Sequence, residues 1–507
     1  MSREAESCYT EYSLMDILGK AGAEADGRMK RGIRHPFSTI LLIMLMGYLL
    51  GRNTYRGICR LFQEQDMYNS LKALVDLPHG LPSYSTMSRA MKAADPVILA
   101  CSTAEFFFQI LNDDRQQICL DGKAIIAAQS KCLTGANLYI VNVFVAGINI
   151  FLNHMRVGPK KQEGKVIEAE LANILGGLAE GTVVTADAMS TKKAILEKIC
   201  RCHYNAILPV KKNNSNLRDR ILRFIAEHVQ DMPDALEYYE DIGPHSPEEI
   251  PGSFVCNPVV KIYEEDNRKD NADAAEVCPE SELSFYDNYY HYIPAVSDND
   301  GNPIPPVIDA ANRSIIYVLI NGRWVPMVKT HGRFERREYE LFVDDTVFAM
   351  ESLSPEFGGW DCIRRVGQVT RYRAEWKRDK DTKERVLHVS VTRTPYILSS
   401  LVSVKEFAET IRRHWAIEEF HGVIDELFNE DRSTVRIGHG PENCSLIRKI
   451  AYNILSVKQS ISSRSDNGKD HYTPSKSEGF RETMQNEFNT IGKIWKFLSH
   501  RIRSPFK

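Results

Sequence analysis

Two aspartates each follow a buried-looking apolar run, Asp121 in QICLDGK and Asp187 in GTVVTADAM. Carboxylates that close strands lie along one rim of a sheet, where neighbouring acids repel unless something positive lies between them. Hard divalent cations such as magnesium take oxygen ligands of this kind. A further acid is available in RRHWAIEEFHGVIDELFNED, where His414, Glu418, His421 and Asp425 recur on steps of four, three and four. Those steps place the four on one helix face, beside an apolar stripe of Phe407, Ile411, Trp415, Phe420, Ile424 and Phe428. Spacing leaves alternatives open. Asp121 can begin an Asp-Gly turn, Asp187 can cap the following helix, and Glu419 or Glu426 would serve as well as Glu418 on a merely solvated face.

The elements that must position these acids are read from periodicity. Residues 1–115 read as helical, and in LPSYSTMSRAMKAADP Ser83 or Ser85 caps a short helix that should end before Pro96, with Arg89 and Lys92 projecting from it. Such a helix can enter a DNA groove or simply pack. The pattern changes at Gln117, where a short strand broken by Asp-Gly precedes the β-rich residues 137–157, with Gly147, Ile148 and Asn149 marking a hairpin turn. Helices and strands then alternate to about residue 212, which indicates an α/β sheet covered by helices. Regularity fades over 213–383, read as an insertion. Strand-like ERVLHVSVTRTPYIL resumes the sheet, and a single long helix is expected over residues 404–428. Residues 384–460 complete the core. A linker and the basic IGKIWKFLSHRIRSPFK, either a DNA-contacting tail or a docking helix, occupy 461–507.

Charge is unevenly spread. Residues 234–310 hold 18 acidic and 3 basic side chains, so the net charge of −3 hides a basic body of 61 bases against 49 acids. A basic body suits a polyanionic partner such as nucleic acid. The 507 residues, 43% hydrophobic and 26% charged, exclude a collagen-like, wholly disordered or mini-protein reading. The longest apolar stretch, residues 37–51, is fifteen residues long, short of the roughly 20 that span a bilayer. It reads as a buried helix, and no membrane partner is expected. Eleven scattered cysteines and a start that resembles no signal peptide suit reduced thiols in the cytoplasm.

Several ordered motifs together resemble the DDE transposases of bacterial insertion sequences, in the branch that includes the H-repeat-associated proteins. They are HPFSTILLIMLMGYLLG, LPSYSTMSRAMKAADP, the strands ending in DGK and DAM, VKKN, HGRFERREYE, IRRHWAIEEFHGVIDELFNED and NCSLIRKIAYNIL. The resemblance implies a ribonuclease H-like catalytic core, with an N-terminal helical domain and a long insertion before the last catalytic helix. It implies that Asp121, Asp187 and Glu418 are the catalytic triad and hold two magnesium ions, for which manganese would substitute. The substrate would be double-stranded DNA, as element ends and target, bound by a homodimer. Basic groups expected to neutralise phosphate are Arg89, Lys123, Lys211, Lys212, Arg333, Arg336 and Arg337, with His414 beside the triad. In HGRFERRE a structural salt-bridge cluster around Glu335 competes with that role. The alternative function is a DNA-binding or regulatory remnant that has lost the reaction.

Overall fold

The structure is a computed structural model. It describes residues 10–111, 115–125, 138–157, 163–231, 236–240, 259–263, 276–277, 283–285, 315–320, 323–330, 333–342, 357–378, 385–465 and 476–502. Most of the acidic stretch 234–310 and the linker residues 466–475 lie outside these. The fold is mixed α/β and divides into two compact units, Met1–Asn205 with Ile411–Lys507, and Ala206–Thr410.

The first unit opens with six helices: α1 (Leu14–Glu24), α2 (Phe37–Leu49), α3 (Tyr55–Gln63), α4 (Gln65–Lys72), α5 (Tyr84–Ala93) and α6 (Pro96–Ile110). Four of the six starts, those of α1, α3, α5 and α6, carry side-chain caps that satisfy otherwise orphaned amides. Ser13 and Asp16 form a capping box on α1, Ser83 accepts the Thr86 N–H on α5, and Asp95 caps α6 just ahead of Pro96. Helix α2 is apolar all round because it is enclosed all round. Its residues from Ile40 to Leu49 are buried, and a Cβ on Gly47 would stand 2.6 Å from Ile58 of α3. No helix among the described residues is long and apolar enough to cross a membrane.

Strands β1 (Gln117–Ile125), β2 (Leu138–Val145) and β3 (Ile150–Val157) follow, then α7 (Glu163–Leu175), β4 (Val183–Ala186), α8 (Lys193–Arg201) and β5 (Asn205–Pro209). Within the first unit the strand order is β3-β2-β1-β4, the first three antiparallel and β4 parallel to β1. Asn149 takes φ 55 in the turn between β2 and β3, the left-handed geometry that tight hairpins need.

The second unit holds α9 (Ser215–Asp231), β6 (Leu236–Glu240), β7 (Val259–Tyr263), β8 (Glu276–Val277), β9 (Leu283–Phe285), β10 (Ile315–Ile320), β11 (Arg323–Thr330), β12 (Arg333–Phe342), β13 (Arg365–Arg378) and β14 (Arg385–Leu398). Strands β9 to β14 form consecutive antiparallel neighbours, apart from the order β14-β13-β12-β11-β10-β9 running against the chain, and β13 pairs with β14 from Arg365↔Leu398 to Arg378↔Arg385. Ile316, Val318, Met327, Phe334, Leu387 and Val389 are among its buried core. The sequence reading saw no regular pattern over most of this stretch. Long strands occur there, and their buried positions include Arg336, Glu338, Arg365, Thr370 and Arg373, which obscures the hydropathy alternation.

The chain closes with α10 (Val404–His414), α11 (Ala416–Glu426), α12 (Gly440–Ser465), α13 (Lys476–Asn486) and α14 (Ile491–Ser499). The single helix expected over 404–428 is instead two. Trp415 joins them at φ −59, ψ −21, and its N–H bonds to Arg412 in an i→i−3 step, so the backbone tightens without leaving helical space. The stretch of α12 from Glu442 to Val457 is buried. The terminal basic segment docks: Ile491, Ile494 and Leu498 are buried, the Thr10 N–H donates to the Ile502 carbonyl and the Ile502 N–H to Thr10 Oγ1, both at 3.0 Å.

Candidate active site

Asp121 does not close a strand or start a turn. β1 runs through Asp121 and Gly122 because β2 continues opposite it, pairing Asp121 with Asn142, Gly122 with Val141 and Lys123 with Ile140. On its other side the parallel partner ends: Leu120 is in register with Ala186, the last residue of β4. Asp121 and Asp187 are therefore the next residues along two adjacent parallel chains. Asp187 is exposed, and its Oδ1 accepts the Ala188 N–H at 2.7 Å, capping the 3-10 turn Ala188–Ser190. Asp121 is half-buried and its Oδ1 accepts the Gly122 N–H at 2.9 Å.

Helix α11 lies over this end of the sheet. Phe420 stacks on Phe144 at 5.0 Å and on Phe151 at 5.9 Å and meets Tyr452 of α12 edge-on at 4.8 Å, which clamps α11 against β2, β3 and α12. The polar stripe read from spacing then meets the strands. His414 Nδ1 lies 2.8 Å from Thr185 Oγ1 on β4, His421 Nδ1 lies 3.4 Å from Asp121 Oδ2, and Asp425 Oδ1 accepts from Lys123 Nζ at 2.6 Å. Glu418, exposed in the first turn of α11, sits on the stripe between His414 and His421. Glu419 lies on the flank toward Tyr452 and Lys476, whose ionisation its charge affects. That separates the two glutamates by direction.

Behind the acids is a polar row that sequence reasoning missed. Directly opposed residues share a sheet face, and the register aligns Asp121, Asn142 and His154 across β1, β2 and β3. Asn142 donates from Nδ2 to His421 Nε2 at 2.7 Å and accepts from Lys449 Nζ at 2.6 Å. His154 Nε2 stands 3.1 Å from Glu442 Oε1. Lys123 Nζ reaches fully buried Glu430 at 3.2 Å as well as Asp425. Burial pushes the His421 imidazole down to about 3, with Lys123 and Lys449 adding to the shift. Burial also lowers the Lys449 ammonium to about 7, against the pull of Glu430. Burial would raise the Glu430 carboxyl, yet Lys123, Lys449 and Arg448 hold it down to about 2. The signal available in sequence was a lone Asn in the apolar VNVFV and the Arg-Lys pair within the otherwise apolar LIRKIAY.

The basic candidates divide. Arg89 and Lys212 are exposed and Lys211 is half-buried. Lys123 and Arg336 are turned inward instead of toward a surface: Lys123 is 9% exposed on its two carboxylates, and Arg336 is 3% exposed with Nε on Glu338 at 2.9 Å. Arg333 and Arg337 both pair with Glu335, at 2.6 and 3.7 Å, and Arg373 joins them at 2.8 Å. The salt-bridge cluster is thus present.

Carboxylate oxygens from Asp121, Asp187 and Glu418 are the donor set a hard divalent cation takes, and the register that makes the two aspartates neighbours suits such an ion. The side chains are not drawn into a coordination shell: among the described residues no three His, Cys, Asp or Glu stand close enough to hold a metal. The chain belongs to the family described as "Transposase DDE domain", which it matches over residues 118–454, and it matches the companion family "DDE_Tnp_1-associated" over residues 25–106.

Its relatives place it on the H-repeat-associated branch. "H repeat-associated putative transposase YhhI" of Escherichia coli (strain K12) is 22% identical over 440 residues, covering 85% of this chain and 88% of that protein. "Putative transposase YncI" of Escherichia coli O157:H7 is 23% identical over 449 residues, covering 87% and 88%.

Proposed function

We propose that this chain is the transposase of an insertion sequence, which cuts DNA at the element's ends and joins the freed strands to target DNA. The observation that carries the reading is the register placing Asp187 beside Asp121, with Glu418 bracketed above them by the His414–Thr185 and His421–Asp121 contacts. The order β3-β2-β1-β4 supports a ribonuclease H-like core, interrupted before α11 by an insertion.

Asp121, Asp187 and Glu418 would hold two magnesium ions, or manganese in their place, which when bound supply an acidified water and a counter-charge for the leaving oxygen. The chain's own part is to present three carboxylates from a rigid strand pair and a clamped helix, so that the scissile phosphate meets a fixed arrangement. Water adds to the phosphorus as the P–O3′ bond breaks, leaving a 3′ hydroxyl and a 5′ phosphate. The 3′ oxygen then displaces a 3′ oxygen of the target strand, losing its proton to solvent, with no bond to the protein. Arg89, Lys211, Lys212, Arg333, Arg337 and His414 are proposed to neutralise phosphate, on a DNA-bound homodimer. The test is magnesium-dependent cleavage of DNA carrying the sequences that flank this gene, comparing the native chain with Glu418→Gln. Cleavage lost in the variant with binding kept supports the reading. End-specific binding without cleavage by either protein turns it toward a DNA-binding remnant.

A further inference from the structure

Lys449 Nζ donates to the Asn142 amide oxygen at 2.6 Å. That fixes the amide's orientation, since the NH2 group then faces His421 Nε2 at 2.7 Å and donates to it. An Nε2 that accepts leaves the proton of a neutral imidazole on Nδ1. Nδ1 is the atom 3.4 Å from Asp121 Oδ2, while the Gly122 N–H holds Oδ1. Asn142 and Lys449 are both fully buried, so water does not compete for these donors. With the Gly122 N–H on Oδ1 and the protonated Nδ1 facing Oδ2 at 3.4 Å, the carboxylate of Asp121 is biased toward one plane.

We propose that His421, its tautomer set by Asn142 and Lys449, is a positioning residue that orients the Asp121 carboxylate for a divalent cation. The inference rests on the reading of Asp121 as one of the metal-holding carboxylates. Groups that orient a ligand from behind typically change metal affinity by about 10- to 100-fold when removed.

The experiment titrates manganese alone into the full chain by calorimetry, with no DNA present, and follows thermal unfolding of each variant beside it. Asp121→Asn should lose the binding. His421→Phe, which keeps ring packing but has no donor, should weaken it by about 10- to 100-fold. His421→Asn sets an N–H near the place of Nδ1 and should recover most of the affinity. His421→Gln reaches instead toward the place of Nε2 and should stay weak, which also covers the case in which the phenylalanine variant does not fold. Native affinity in the phenylalanine and glutamine variants, with Asp121→Asn impaired, overturns the positioning role and leaves the triad standing. An asparagine variant as weak as the phenylalanine one overturns it as well. Binding that survives Asp121→Asn overturns the metal reading and the positioning role together.

Discussion

Both units bury charge, but they use it differently. In the second unit, Arg336 meets Glu338 at 2.9 Å, Glu338 also accepts from Tyr372, and Arg373 meets Glu335 at 2.8 Å from the neighbouring strand. These pairs close on each other within the sheet. In the first unit the buried charges form a chain with a direction, from Lys449 through Asn142 and His421 to Asp121, with Lys123 and Glu430 beside it. Charge that cancels locally serves the fold. Charge that ends on a half-exposed carboxylate at the edge of a parallel strand pair is organised toward whatever meets that carboxylate.

The largest effect should come from the acid outside the buried chain. Glu418→Gln is isosteric and changes one exposed oxygen to nitrogen, so stability should change little while cleavage of the element ends falls by about 10³-fold or more. Gel-based cleavage and a melting curve on the same preparation check both halves. If Glu419→Gln inactivates and Glu418→Gln does not, the directional argument from the helix stripe is wrong.

Next in size is the contrast between closed pairs and the directed network. Removing one partner of a buried ion pair costs roughly 3–5 kcal/mol, whereas replacing both with apolar groups is often close to neutral. Arg336→Met should therefore destabilise strongly, and adding Glu338→Leu should recover much of the loss. Lys123→Met combined with Glu430→Gln should show no such recovery, because Asp425 and Lys449 are left facing altered neighbours. Denaturant midpoints give the comparison, and equal recovery in both double variants would erase the distinction drawn between the units.

Much of this contrast was hidden in the sequence for physical reasons. Where local apolar patterning decides, the sequence was legible: the stretch beginning at Phe37 is the enclosed helix α2 and the turn falls at Asn149, whereas local pattern leaves open the choice of Ser83 over Ser85 as cap and the docking of the terminal segment through Ile491, Ile494 and Leu498. It was not legible where a distant partner decides. Asp-Gly at 121–122 looks like a turn, and only the β2 ladder keeps it extended. Trp415 interrupts the helix with neither proline nor glycine to announce it. The arginine-rich strands β12 and β13 show no clear hydropathy alternation because their buried positions mix ion-paired Arg336, Glu338 and Arg373 with apolar residues such as Phe334 and Ala374. Asn142 and Lys449 are 307 residues apart, and neither signals the other. Of the site itself, the acid types and the helix stripe were legible, but the polar row behind Asp121 was not.

Acid should separate the units more gently. Glu430 is held at about 2, below its ordinary value of 4.5, so the unfolded chain takes up that proton more readily than the folded one. Its contribution to stability is present above pH 4.5 and is lost as pH falls toward 2. Peptide-resolved amide exchange should show residues 117–125 and 440–457 losing protection over that window before residues 365–378. Simultaneous loss in both would mean that Glu430 does not govern the acid response of the first unit.

The smallest effects belong to Arg333 and Arg337, where the two uses of charge meet in one place. Glu335 pairs with Arg333, Arg337 and Arg373, so deleting Arg337 alone leaves the carboxylate partnered and should cost under about 1 kcal/mol. Arg373 also reaches Glu375 at 3.9 Å, yet Arg333 and Arg337 keep part of their side chains exposed, 28% and 19%, where a phosphate can meet them. If they contact DNA, Arg333→Ala with Arg337→Ala should weaken binding for all sequences alike and reduce the slope of log affinity against log salt by about 0.9 for each lost contact. Fluorescence titrations at several salt concentrations measure that slope. An unchanged slope with a small stability loss would assign these arginines wholly to the sheet, and the second unit's charge would then be closed on itself throughout the residues compared.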